Sequence, residues 1–205
     1  MTPEYLVGLF LLASSLAWTP GPNNALLASS GARFGYRPTL PHILGVVIGF
    51  PLMQFVLWMG LGSVFLAFPI LRELLRFGGA AMLLWIGWQI ATAPYVENAA
   101  DAAEAGKPWT FLQGFAFQWI NPKAWVMVIS LAGNLPETSP FWLSPFLGSL
   151  VFFLAGVFSA NGWALIGTAL QRAIHTPLRF RIFSLVMAGL IVLTVIGILA
   201  ADLSA

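Results

Sequence analysis

The chain has no cysteine among its 205 residues. That excludes disulfides, thiolate metal sites and thiol redox chemistry, and it leaves the compartment open. Charge is also scarce. Only 8% of residues are Asp, Glu, Lys or Arg, against roughly 25% in a soluble domain. The net charge of +2 is too small to point to nucleic acid as a partner. The longest polar stretch, residues 93–108, is loop-sized and leaves no room for a soluble catalytic domain. The start, Met1-Thr2-Pro3-Glu4-Tyr5, lacks the basic region of a cleavable signal peptide, so the first apolar run is expected to be a retained span. No His-Glu cluster, Ser-His pair or metal-ligand set stands out. This argues against an intramembrane enzyme and predicts neither a metal nor a cofactor. No carboxylate lies deep in an apolar run.

What is present is apolar: 59% of residues are hydrophobic, with 9 Trp and 17 Phe. A membrane helix needs about 20 mostly apolar residues. Six apolar segments qualify, near residues 5–30, 40–67, 71–92, 111–132, 142–170 and 183–201. The expected fold is an all-α integral membrane protein with six transmembrane helices in a lipid bilayer, one transmembrane domain over residues 1–205. Basic residues set orientation. Arg33, Arg37, Lys107, Arg172, Arg179 and Arg181 fall in loops one, three and five, whereas the opposite side has only Arg72 and Arg76. Both termini are therefore expected to be extracytoplasmic.

Two segments are interrupted where a membrane helix should be most regular. Thr19-Pro20-Gly21-Pro22-Asn23-Asn24 breaks the first, and Asn121-Pro122-Lys123 breaks the fourth. A proline inside a helix costs roughly 3 kcal/mol. In lipid the freed backbone groups are tolerated only beside protein or a water-lined cavity. Broken helices at mid-membrane are the form many transporter sites take. The helix after Pro22 offers N–H groups to an anion such as a carboxylate. The carbonyls before Thr19 suit an ammonium, so an amino-acid zwitterion would satisfy both ends. Asn23 and Asn24 add neutral donors and acceptors.

Lys123 lies near the middle of its segment, roughly 15 Å from either end at about 1.5 Å per residue. Its side chain cannot snorkel fully to the interface. A charge at that depth marks a functional site by default. It could meet a substrate carboxylate, carry the proton, or bind the carbonyls freed at a proline break. Gln118, Asn121 and Trp125 are spaced to share one helix face. Gln54, Ser159 and Asn161 are the other deep polar groups, each equally suited to an interhelical hydrogen bond. Asn161 beside Gly162 suggests a local opening. Arg72, Glu73 and Arg76 read as a local interfacial pairing. Gly31, Gly35, Gly45 and Gly49 favour close helix approach, within one chain or between copies, so a homo-oligomer stays open.

The two halves echo each other. Trp18 to Pro22 resembles Trp119 to Pro122; Gly31 and Gly133 follow at similar distances; Arg72 to Gly87 has a counterpart in Arg181 to Gly197. Three spans per half would make a 3+3 inverted repeat, about 1–92 and 109–205. The stretch 93–108, with Glu97, Asp101 and Glu104, would be a flexible linker.

These residues resemble the LysE/RhtB family of bacterial amino-acid exporters over essentially the full length. The likeness rests on Thr19 to Asn24, on Gly31-Ala32-Arg33-Phe34-Gly35-Tyr36-Arg37 with Gly45, and on Trp119-Ile120-Asn121-Pro122-Lys123-Ala124-Trp125. The chain is most similar to the cysteine and O-acetylserine exporters through Trp88 to Pro94, Lys107-Pro108-Trp109, Trp163 to Gly167 and Gln171-Arg172. The resemblance implies efflux of small amino acids across the inner membrane, driven by the proton gradient. The reading is a secondary transporter for a small neutral amino acid. Its site would be formed by Thr19–Asn24, Gln118, Asn121, Pro122, Lys123 and Asn161. The rivals are an uncoupled facilitator and a non-transporting membrane scaffold.

Overall fold

The computed structural model describes residues 1–95, 106–133, 135–173 and 176–200, the side chains of 64–66, 69, 171 and 172 aside. The acidic residues Glu97, Asp101 and Glu104 of the expected linker lie outside the described residues. Among the described residues there is no strand. In chain order come α1 (Pro3–Trp18), α2 (Pro22–Phe34), α3 (Tyr36–Val56), a π turn (Leu57–Leu61), α4 (Gly62–Ala67) and α5 (Pro69–Ala91). Then follow α6 (Phe111–Ile120), α7 (Pro122–Ala132), α8 (Leu143–Ala173) and α9 (Pro177–Ala200).

Local chemistry sets the helix starts. Thr2 caps α1 by accepting from the Tyr5 N–H at 3.3 Å, and Pro3 follows at the first position, where its missing N–H costs nothing. Thr110 and Gln113 form a reciprocal capping box on α6, satisfying two otherwise unpaired donors. Helices α5 and α9 both begin at proline.

Four stretches are long and apolar enough to cross a bilayer: Tyr36–Leu61, Ile70–Ala91, Leu143–Leu170 and Pro177–Ala200. The first and fourth expected spans are instead each two shorter helices, α1 with α2 and α6 with α7, broken at Thr19–Gly21 and at Asn121. Loop one is shorter than its arginines suggested. Gly35 alone joins α2 to α3, at φ 82°, a left-handed conformation that suits glycine. Its role is therefore this turn, not helix approach. Thr39 Oγ1 locks the turn, lying 2.9 Å from Ser30 Oγ and donating to the Gly35 carbonyl at 2.8 Å. The second segment ends irregularly, in a π turn with Gly60 at φ 123°. The sixth begins at Pro177, so Arg179 and Arg181 ride on α9.

Helix α2 is the innermost element, and every residue from Asn24 to Ala32 is buried. One face packs Ala25 and Ala28 with Leu83 and Ile86 of α5, Phe117 of α6 and Ile191 of α9. The other packs Leu27 with Ile43 and Val47 of α3 and Ala160 and Ala164 of α8. Glycines bring these helices together. A Cβ on Gly31 would collide with the Ala164 carbonyl, and one on Gly167 with the Ala28 carbonyl. On α3, a Cβ on Gly45 would strike the Phe111 carbonyl, and one on Gly49 would lie 3.0 Å from Phe115 Cα. The expected small-residue contacts at Gly31, Gly45 and Gly49 are thus made within one chain. Gly133 has open space around it and does not repeat the role of Gly31.

Helices α5 and α9 pair with reciprocal arginines. Arg76 near the start of α5 donates to the Leu199 carbonyl near the end of α9. Arg181 near the start of α9 donates to the Ala91 carbonyl at the end of α5. A guanidinium at a helix C-terminus satisfies unpaired carbonyls and the negative dipole end together. The Arg76–Glu73 contact at 3.9 Å is the weaker partner. Val7, Leu11, Leu74, Phe77, Trp88 and Leu193 point outward and are exposed, an apolar surface suited to lipid.

Candidate functional site

The two proline breaks, about a hundred residues apart in sequence, meet. At the first, Gly21 is fully extended at φ −178° and ψ −176° and caps α2 without any side-chain acceptor. Pro22 holds the first helical position, so the first N–H groups of α2 belong to Asn23 and Asn24. At the second, Asn121 caps α7 by accepting the Lys123 N–H through Oδ1 at 3.1 Å. The helix start at Lys123 is therefore satisfied internally, whereas that at Asn23 is not.

Lys123 joins the breaks. Its Nζ donates to the Thr19 carbonyl at 2.8 Å and to the Pro20 carbonyl at 3.4 Å. Its tip lies so close to Gly21 that an added Cβ would sit 2.8 Å from Nζ. The carbonyls before the break were expected to be open to a substrate ammonium. Instead they are taken by side chains. Asn24 Nδ2 donates to the Ala17 and Thr19 carbonyls at 2.8 and 2.9 Å, and Ser159 Oγ donates to Ala17 at 2.7 Å. The physical reason is the one that makes freed carbonyls sticky: in a dry interior an unpaired acceptor costs about 1–3 kcal/mol.

Gln118 belongs to the same cluster. Its amide exchanges two hydrogen bonds with Asn23, at 2.8 and 3.2 Å, and donates to the Gly114 carbonyl at 2.8 Å. The shared face expected for Gln118, Asn121 and Trp125 assumed an unbroken helix, but Asn121 leaves the helix at ψ 105°. Trp125 turns back to donate to the Trp119 carbonyl at 2.8 Å. Asn161 does not join the cluster. It accepts from Tyr36 Oη at 2.5 Å and donates to the Val157 carbonyl at 2.7 Å, tying α8 to the start of α3. Gly162 marks no opening, because the Trp18 indole fills the space beside it. Gln54 makes none of the expected interhelical bonds; it is fully buried with neither amide atom paired.

A central cavity of about 80 Å³ opens on the cluster. Gly21, Asn23, Asn24, Asn121, Lys123 and Ser159 give it a polar wall, while Val46, Phe50, Met127 and Phe152 give it an apolar one. No carboxylate is among its described lining residues. The volume is room for a few water molecules, below the roughly 300–1,000 Å³ of typical ligand sites.

A second cavity of about 400 Å³ lies further along α2. Ser29, Arg33, His42, Gln89, Lys107 and Trp109 contribute to its lining. His42 was not singled out by the sequence reading. A lone imidazole in an apolar segment was the signal that could have found it.

The chain matches the LysE type translocator family model over residues 14–202. It belongs to the LysE family. Both breaks and both cavities fall inside the LysE region. The cysteine/O-acetylserine efflux protein of Escherichia coli strain K12 is 34% identical over 176 residues, covering 84% of this chain and 87% of that one. The protein of the same name from Salmonella typhimurium strain LT2 is 35% identical over 178 residues, with the same coverage. No solved structure matches the chain significantly.

Proposed function

We propose that the protein is an inner-membrane secondary transporter exporting a small neutral amino acid or derivative of the cysteine/O-acetylserine class, with protons as the coupling ion. The observation that carries this reading is the meeting of two broken helices at Lys123. An ammonium has three donors; two are spent on Thr19 and Pro20, which leaves one for a carboxylate in the central cavity. The uncapped N–H groups of Asn23 and Asn24 favour the same anionic group. The names of the relatives support the substrate class.

Six spans in two inverted halves, about 1–92 and 109–205, form one transporter domain, with α1/α2 and α6/α7 as the broken spans. Packing supports the symmetry. The first broken span packs on α8 and the second on α3, so exchanging the halves exchanges these two pairs. Helices α5 and α9 pair with each other, as the exchange requires of the third span of each half. In this arrangement both termini are extracytoplasmic. Alternating access rocks the halves about the two breaks, and Lys123 releases its carbonyls as the carboxylate arrives.

The test is counterflow. Purified protein in liposomes, loaded with unlabelled amino acid, takes up labelled O-acetylserine or cysteine faster than threonine or lysine, and an imposed pH gradient changes the rate. Saturable flux that ignores the gradient makes the protein a facilitator. Absence of flux for all four, in folded protein, removes this substrate class.

A further inference from the structure

The stretch from α3 into α4 shares a register with α8. At one constant offset Val46 falls on Val151, Gln54 on Ser159, Trp58 on Trp163, Gly62 on Gly167 and Ser63 on Thr168. The same offset pairs residues of the central cavity's wall, Val47 with Phe152 and Pro51 with Gly156. Each of the two stretches runs beside one break. Ser159 lies at the first, where its Oγ donates to the Ala17 carbonyl at 2.7 Å. Gln54 lies at the level of the second; Met53 beside it packs in one cluster with Ala124 and Trp125. About one turn further along, Trp163 packs against the cluster that holds Ala25 and Ala28 of α2. Trp58 packs against the one that holds Ala124 and Val128 of α7.

The hydrogen bonds at these matched positions are complementary. At the first break Ser159 is bonded, while the buried Trp163 Nε1–H has no partner among the described residues. At the second the Trp58 indole is bonded, its Nε1 donating to the Val128 carbonyl at 2.9 Å. There Gln54 is 0% exposed and both its amide atoms are unpaired among the described residues. Each break thus makes one of its two anchors and lacks the other, and the anchor that is made differs between them. A buried polar group without a partner is costly and calls for a physical reason. A second conformation that pairs both groups supplies one.

We infer that Gln54 and Trp163 are the anchors of the opposite-facing state. The inference rests on the export reading above, in which two inverted halves exchange arrangements during the cycle. On exchange Ser159 and Trp58 let go. Gln54 then donates to the carbonyl end of α6, as Ser159 does to that of α1. The Trp163 indole donates to a carbonyl of α2, as Trp58 does to α7. Each state holds one indole anchor and one anchor from a smaller polar side chain, so the exchange trades bonds of like kind.

The lack of native cysteine allows a direct test. Gly156→Cys places a single thiol on the central cavity's wall, where an added Cβ meets nothing within 4 Å. An impermeant methanethiosulfonate is applied to right-side-out and to inside-out vesicles. The ratio of the two labelling rates reads the face to which the cavity opens. Gln54→Leu and Trp163→Phe should each move that ratio about fivefold in one direction, the shift that the net worth of one buried hydrogen bond implies. Ser159→Ala and Trp58→Phe should move it in the other direction, and Gln54→Leu combined with Trp58→Phe should return it to its starting value. Shifts of all four in the same direction would overturn the proposal. So would an unmoved ratio, including faster labelling from both faces, which marks mere loosening of the fold. Opposite shifts in a protein that shows no counterflow would uphold the exchange of anchors and remove the substrate class. Counterflow with unmoved ratios would remove this inference alone.

Discussion

In the proposed transporter, Lys123 concentrates the chemistry of the chain in one side chain. An ammonium deep in a span is expensive, and here its partners are neutral carbonyls at the C-terminal end of α1. A helix C-terminus carries about half a negative charge, enough to hold the ammonium but not to lock it as a carboxylate would. Lys123→Met should reduce counterflow at least a hundredfold while the purified protein stays monodisperse on size exclusion; normal export by the variant would sink the role. Gly21→Ala reaches the same contact from the other side. Its new methyl would lie 2.8 Å from Nζ, and the flexible lysine tip must leave. Transport should fall at least tenfold with little change in melting temperature, whereas a large drop in melting temperature would make Gly21 a packing residue. The motif types were readable in the sequence because proline, glycine and lysine are anomalous in an apolar helix. The identity of Lys123's partners was not, since Thr19 and Pro20 are more than a hundred residues away. For the same reason the sequence left Asn161 open between a substrate contact and an interhelical bond. An amide in an apolar run signals a partner, and only packing reveals that the partner is Tyr36.

At the level of elements, the helices around α2 are held by glycine contacts rather than by large side chains. Gly31→Ala puts a methyl against the Ala164 backbone oxygen, which cannot rotate away. Overpacking of this kind costs about 1–3 kcal/mol. The variant should unfold at a clearly lower temperature in detergent than wild type, whereas Gly78→Ala, with open space around it, should not; equal melting of the two would refute the close contact. Hydropathy located α5 and α8 within a few residues because their apolar runs are long. It failed at Gly35, where a single left-handed residue replaces an expected loop. Proline was also an incomplete guide. Pro41 and Pro51 sit inside α3, which stays helical, while the Pro20-Gly21-Pro22 run breaks its helix outright.

For the whole molecule, the packing pairs and the reciprocal caps of Arg76 and Arg181 make a testable claim about topology. The proposed three spans per half would put both termini on the side opposite Arg37 and Lys107. Alkaline phosphatase fused to either end should be active in cells, and green fluorescent protein fused there should stay dark. A thiol introduced by Arg37→Cys should react with an impermeant reagent only in inside-out vesicles. Termini on opposite faces would remove the six-span arrangement and the inverted repeat together.

Composition and periodicity alone determined that the chain is helical and membrane-embedded and where two of its helices break, because burial in lipid leaves few ways to satisfy a backbone and proline removes one of them. The family, too, was legible in those breaks. Only the tertiary structure decided that the freed carbonyls are filled by Lys123, Asn24 and Ser159, that Asn161 serves Tyr36, and that His42 lines the larger cavity. Each of those outcomes depends on which helices touch, and that is settled by the glycine contacts of α2 with α8 and of α3 with α6, distances that no local pattern encodes.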